Sequence, residues 1–151
     1  MLYQLIKNPE RHRLNNGRKK MKYLSSYMED QQTKLFSETG AFFAFGNKQF
    51  NEQKKEGVKY INMQGGLICP EQNVELLINS LDEIWKKAIA QDIAENGKIG
   101  IIHRELANHE CQITNDYSAI IENMKAYGIE EIEILKEWPN YFNKCIENDW
   151  F

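Results

Sequence analysis

A helix-rich α+β fold, with a small two- or three-stranded sheet near residues 41–69, is what this 151-residue sequence predicts. Long stretches repeat apolar residues at spacings of three and four, the helical period. Residues 41–69 instead carry short apolar and aromatic runs between glycines, the signature of strands. No internal repeat or low-complexity linker divides the chain. Residues 21–151 are therefore expected as one compact domain behind a basic arm, residues 1–20.

The first helix spans Met21 to Glu38, with Leu24, Tyr27, Met28, Leu35 and Phe36 on its apolar face, and Gly40 ends it. AFFAF (41–45) reads as a buried strand. Asn47 caps a short polar helix, KQFNEQKKE, which Gly57 closes. VKYINM (58–63) alternates as a second strand, Gly65-Gly66 turns, and LIC (67–69) is the third. Pro70 fits the first turn of the longest helix, where a missing N–H costs nothing. Val74, Leu77, Ile78, Leu81, Ile84, Trp85, Ala88 and Ile89 form its stripe, which runs to about Asn96 before Gly97 stops it. Further helices are expected over Ile99–Cys111 and Asp116–Tyr127. The tail, IEEIEILKEWPNYFNKCIENDWF, divides into two short helices, because Pro139 disfavours helical backbone at Trp138.

Composition narrows the function classes. Hydrophobic residues at 42% and charged residues at 27% are ordinary for a globular protein. No apolar run approaches the ~18 residues of a membrane span, and MLYQLIKNPERHR lacks the form of a secretory signal. Cys69, Cys111 and Cys145 form no CxxC pair, so free buried thiols in a reducing cytoplasm are expected. Residues 1–20 hold six basic side chains (Lys7, Arg11, Arg13, Arg18, Lys19, Lys20) against Glu10 alone, while the rest holds 13 basic and 21 acidic. An acidic body repels phosphates, so any direct nucleic-acid binding would rest on the arm. NNGRKKM also fits a translated ribosome-binding site, which would make Met21 the functional start; a genuine basic tail is the other reading.

Chemistry concentrates in HRELANHECQITND (103–116). On a helix of about 100° per residue, His103 and Glu110 share a face, as do Glu105 and His109, but the two faces are about 200° apart. This is not the HExxH spacing that binds zinc. No metal and no cofactor is expected. His109 falls on the stripe Ile99, Ile102, Leu106, His109, Ile113 and reads as a hydrogen-bonded core histidine, with partners in the turn Thr114–Asn115–Asp116. There Asp116 suits the next helix dipole, and Thr114 or Asn115 can accept a backbone N–H. The catalytic alternative is a small hydrolase or nuclease-like centre of His109, Glu110 and Asp116 acting as acid and base.

Other motifs are weaker. Gly65-Gly66 lacks the remainder of a phosphate loop, and no serine sits in a GxSxG elbow. Cys69 at a helix start reads as a buried strand end, against an activated thiol. The aromatic group Phe42, Phe43, Phe45, Phe50 and Tyr60 reads as core, against base stacking. Residues 129–149 carry Glu130, Glu131, Glu133, Glu137, Glu147 and Asp149 against Lys136 and Lys144. Read functionally, this acidic run, with Trp150 and Phe151 after it, docks on a basic nucleic-acid-binding protein or complex.

GAFFAFGNKQF, GGLICPEQNVE and HRELANHECQITNDYSAI, with YGI further on, together resemble small proteins of phages, plasmids and other mobile elements of low-GC bacteria. The resemblance covers roughly residues 38–130 and brings no catalytic residues with it. It implies the setting of short accessory genes, many of which encode inhibitors of host defence. The expected function is accordingly a non-enzymatic, anti-CRISPR-like inhibitor that covers a basic surface with the 129–149 patch.

Overall fold

The computed structural model describes residues 21–151, and the basic arm lies outside the described residues. The fold is the expected helix-rich α+β class, and the chain groups into two compact units that divide at Ala88 and Ile89.

In the first unit a 3₁₀ turn, Leu24–Tyr27, precedes helix α1 (Glu29–Thr39), which Gly40 ends in a left-handed conformation. Asn73 Nδ2 donates to the Thr39 carbonyl at 2.8 Å, satisfying one of the orphan groups at that end. Strands β1 (Phe42–Phe43), β2 (Tyr60–Asn62) and β3 (Leu67–Pro70) form an antiparallel sheet in the order β1-β3-β2. Ile68 faces Phe42 on one side and Asn62 on the other. All four residues of the central strand are buried, as a strand hydrogen-bonded on both sides requires.

Several boundaries shift. Gly46, not Asn47, caps helix α2 (Asn47–Gln53), which stops well before Gly57. Pro70 closes β3 opposite Tyr60, and a 3₁₀ turn separates it from the long helix α3 (Val74–Asn108). The core joins Tyr27, Met28, Leu35, Ala41, Leu67, Cys69, Leu77, Leu81, Ile84 and Ala88. Burying a Leu or Ile side chain contributes about 1.5–3 kcal/mol, and Leu77, Leu81 and Ile84 of the predicted α3 stripe are three of the five in this core. The aromatic group departs from the core reading: Phe43 and Phe45 are exposed, and Phe42, Phe50 and Tyr60 are half-buried. Phe42, Phe43 and Tyr60 lie on the two edge strands, Phe45 follows β1 and Phe50 is on α2, so the central strand does not enclose them.

The second unit begins within α3. Gly97 breaks that helix, with φ 67° and ψ 160°, a region open essentially to glycine alone. The Gly97 stop is thus where the sequence puts it, and residues 98–108 form a second arm. Short helix α4 (Cys111–Thr114), helix α5 (Ser118–Lys125) and helix α6 (Glu131–Glu147) follow. Ile101, Ile102, Leu106, Ile120, Met124, Ile129, Ile134 and Cys145 are buried. Contrary to the predicted break, α6 runs unbroken through Pro139. Proline removes one helical hydrogen bond, but Pro139 is exposed, whereas buried Ile134, Tyr141 and Cys145 hold the helix on both sides of it. Among the described residues no helix is long and apolar enough to cross a membrane.

Candidate functional site

The break at Gly97 has a chemical consequence. Along an unbroken helix, Asp92 and Arg104 would stand about 18 Å apart. Instead they form a bidentate pair, with Arg104 Nη1 and Nη2 each 2.9 Å from a separate oxygen of the fully buried Asp92 carboxylate. The Tyr127 hydroxyl donates to Asp92 Oδ2 at 2.7 Å, and Asn96 Nδ2 donates to Oδ1 at 2.8 Å. Arg104 Nε reaches Glu105 at 3.2 Å. Burial alone would push the Asp92 carboxyl up, but the hydrogen bonds from Arg104, Tyr127 and Asn96 outweigh it and hold the group below the ordinary carboxylate range. Burial and the Asp92 charge both push the Tyr127 hydroxyl up. Four donors on one carboxylate form a satisfied network in which each group is committed to the others. Sequence reading missed it, because charged residues in a polar stretch read as surface.

The 103–116 stretch separates as its spacing indicates. His103 Nε2 lies 3.0 Å from Glu137 on α6, and its ring meets Tyr141 edge-on. Glu105 lies 3.9 Å from His109. Among the described residues, no group of three or more His, Cys, Asp or Glu side chains is placed to hold a metal ion. His109 is exposed, which corrects the core-histidine reading. The helix ends at Asn108, so Ile113 is out of phase with Leu106, and Ile99 and Ile113 are exposed as well. The corner is instead set by backbone, with Glu110 and Asn115 both left-handed on either side of α4. Thr114 and Asn115 are not the acceptors at α5. Asp116 accepts from the Ser118 N–H and hydroxyl, both at 2.8 Å, and these bonds lower its pKa. His109 and Asp116 thus face different partners, Glu105 and Ser118.

Cys69, Cys111 and Cys145 are free and buried. Burial raises the Cys69 thiol, the opposite of activation. Burial, reinforced by the Asp116 charge, pushes Cys111 up to about 11.

The acidic run of α6 divides by role. The Glu130 N–H donates to Glu133 Oε2 at 2.9 Å, which fixes the helix start. Glu133 also lies 3.7 Å from Lys98, and Glu137 holds His103. Glu131, Glu147 and Asp149 are exposed. The Trp150 carbonyl accepts from Gln112, whose own amide oxygen accepts from the Tyr141 hydroxyl, so Trp150 is tied into the fold. Phe151 stays 61% exposed while touching Phe142 edge-on. Apolar side chains share this surface, with Ile132, Leu135 and Ile146 exposed on one stripe of α6.

No curated protein and no solved structure matches the chain. A family model does match, over residues 24–148, and by that match the chain belongs to the family of unknown function DUF7659.

Proposed function

We propose that the protein is a non-enzymatic binding protein that docks a larger, basic macromolecule through helix α6. The observation that carries this reading is the stripe Ile132, Leu135 and Ile146, which are 51%, 47% and 58% exposed. Single exposed apolar residues are common, but a row of them on one helix face marks an interface. Exposed Glu131 and Glu147 border the stripe and Asp149 follows it, so the complementary surface is positively charged. A nucleic-acid-binding groove has that sign. Within a phage or plasmid, occupying such a groove on a host complex would make the protein an anti-CRISPR-like inhibitor.

The test is capture of partners from a bacterial lysate on the immobilised chain, from low to high salt. Leu135→Glu with Ile146→Glu should abolish capture at every salt concentration. Glu131→Lys with Glu147→Lys should weaken it chiefly at low salt, where charge steering acts. Capture indifferent to both pairs would sink the reading. Glu133 and Glu137 are left intact because each is committed within the fold.

A further inference from the structure

We propose that residues 44–68 form a binding site for a nucleotide unit of single-stranded nucleic acid, its base stacked on Phe45 and its phosphate drawn to Lys48 and Lys54. A cleft of about 410 Å³ lies between Phe45, Phe50 and Tyr60, with Asn47 and Asn62 also on its wall. That volume falls within the range of small-ligand sites, roughly 300–1,000 Å³.

Phe45 is 72% exposed. Its N–H donates to Gln49 Oε1 at 2.7 Å, and its ring lies over the backbone of Gly66. Gly66 has φ +79°, and a Cβ there would meet the ring at 2.7 Å, so only glycine admits this approach. Phe43 lies nearly parallel beside it, with centroids 6.3 Å apart and planes 9° apart. An exposed ring offers its face for stacking, which every base can use.

The polar groups suit the same ligand. Among the described residues, neither the Asn47 nor the Asn62 amide is engaged by another group, and such amides can read base edges. The Lys54 ammonium lies 5.7 Å from the Phe50 centroid, beside the cleft. Among the described residues no carboxylate pairs with Lys48, Lys54 or Lys55, whereas Lys59 is neutralised by Glu71 at 2.9 Å. With exposed Glu52 and Glu56 counted against Lys48, Lys54 and Lys55, residues 44–68 keep one net positive charge on an otherwise acidic body, which favours an anionic ligand.

Fluorescence anisotropy of a labelled oligothymidylate with the full chain at low salt tests this. Phe45→Ala removes a solvent-facing ring and should weaken binding roughly ten- to a hundredfold, the scale of one lost stacking contact, with an unchanged circular dichroism spectrum. Lys54→Glu should weaken binding and lower the salt slope by about one charge. Competition by free thymidine monophosphate as strong, per nucleotide, as by unlabelled strand would assign the same site to free nucleotides. Absent binding, or binding indifferent to Phe45→Ala and therefore carried by residues 1–20, would overturn the proposal.

Discussion

The two units solve burial in opposite ways. Residues 21–88 bury apolar and aromatic side chains together with Thr39, which donates to the Leu35 carbonyl of its own helix at 2.8 Å. Residues 89–151 bury Asp92, Arg104 and Gln112, with Tyr127 and Tyr141 bonded to them. Charge follows the same division: residues 21–88 hold eight basic and nine acidic side chains, and residues 89–151 hold five and twelve. The first unit is set by hydrophobic burial, which tolerates small adjustments. The second depends on one carboxylate keeping its donors, because a buried charge that loses its partner is costly.

The sharpest way to break this comparison is Asp92→Ala, which takes the bidentate partner from buried Arg104 and leaves its charge to Glu105 at Nε. The second unit should lose about 3–5 kcal/mol, read in urea unfolding through Trp138 and Trp150, while Trp85 reports the first unit. Equal loss at both probes would contradict the division.

Tyr127→Phe is milder. It removes one hydrogen bond to a charged acceptor and should cost about 1.5–3 kcal/mol near neutral pH. The folded hydroxyl is raised above its ordinary value, so as pH climbs past about 10 the unfolded chain ionises first and the wild type loses stability. The phenylalanine variant lacks that limb, and the gap between the two should narrow in alkali. Cys111, raised to about 11, leaves both with a smaller decline.

Gly97→Ala tests the break that brings Asp92 to Arg104. Nothing lies within 4 Å of the added Cβ, so the cost is backbone strain at φ 67°, about 1–3 kcal/mol. The smallest effect belongs to His109→Ala, which should stay within about 0.5 kcal/mol because the side chain is exposed. A loss of several kcal/mol there would restore the core histidine.

The same contrast explains what the sequence made legible. The stripe Leu77, Leu81, Ile84, Ala88 and the stops at Gly40 and Gly97 are local, and period and punctuation reveal them. Spacing also separated His103 from Glu105, since that argument needs only one helical turn. It failed at His109 because the helix ends one residue earlier, at Asn108, and the phase is lost. It failed at Pro139 because packing on both sides overrode a local preference. The Asp92–Arg104–Tyr127 network spans residues 12 and 35 positions apart, and no periodicity marks such a meeting. On α6, composition identified the acidic run, but only coordinates show that Glu133 and Glu137 are committed while Glu131 remains free to meet a partner.

Carboxyl-detected NMR titration of Asp92 in the intact protein most directly tests the claim that the second unit is built round an ionised carboxylate. Its folded pKa is depressed, so below the unfolded value of about 3.9 the unfolded chain takes up protons first, and the stability that the network adds fades as the pH falls. A midpoint below the ordinary aspartate range is expected, with its stabilising effect fully present above about pH 5. A midpoint at or above that range would mean that desolvation wins, and that the four donors do not hold the charge.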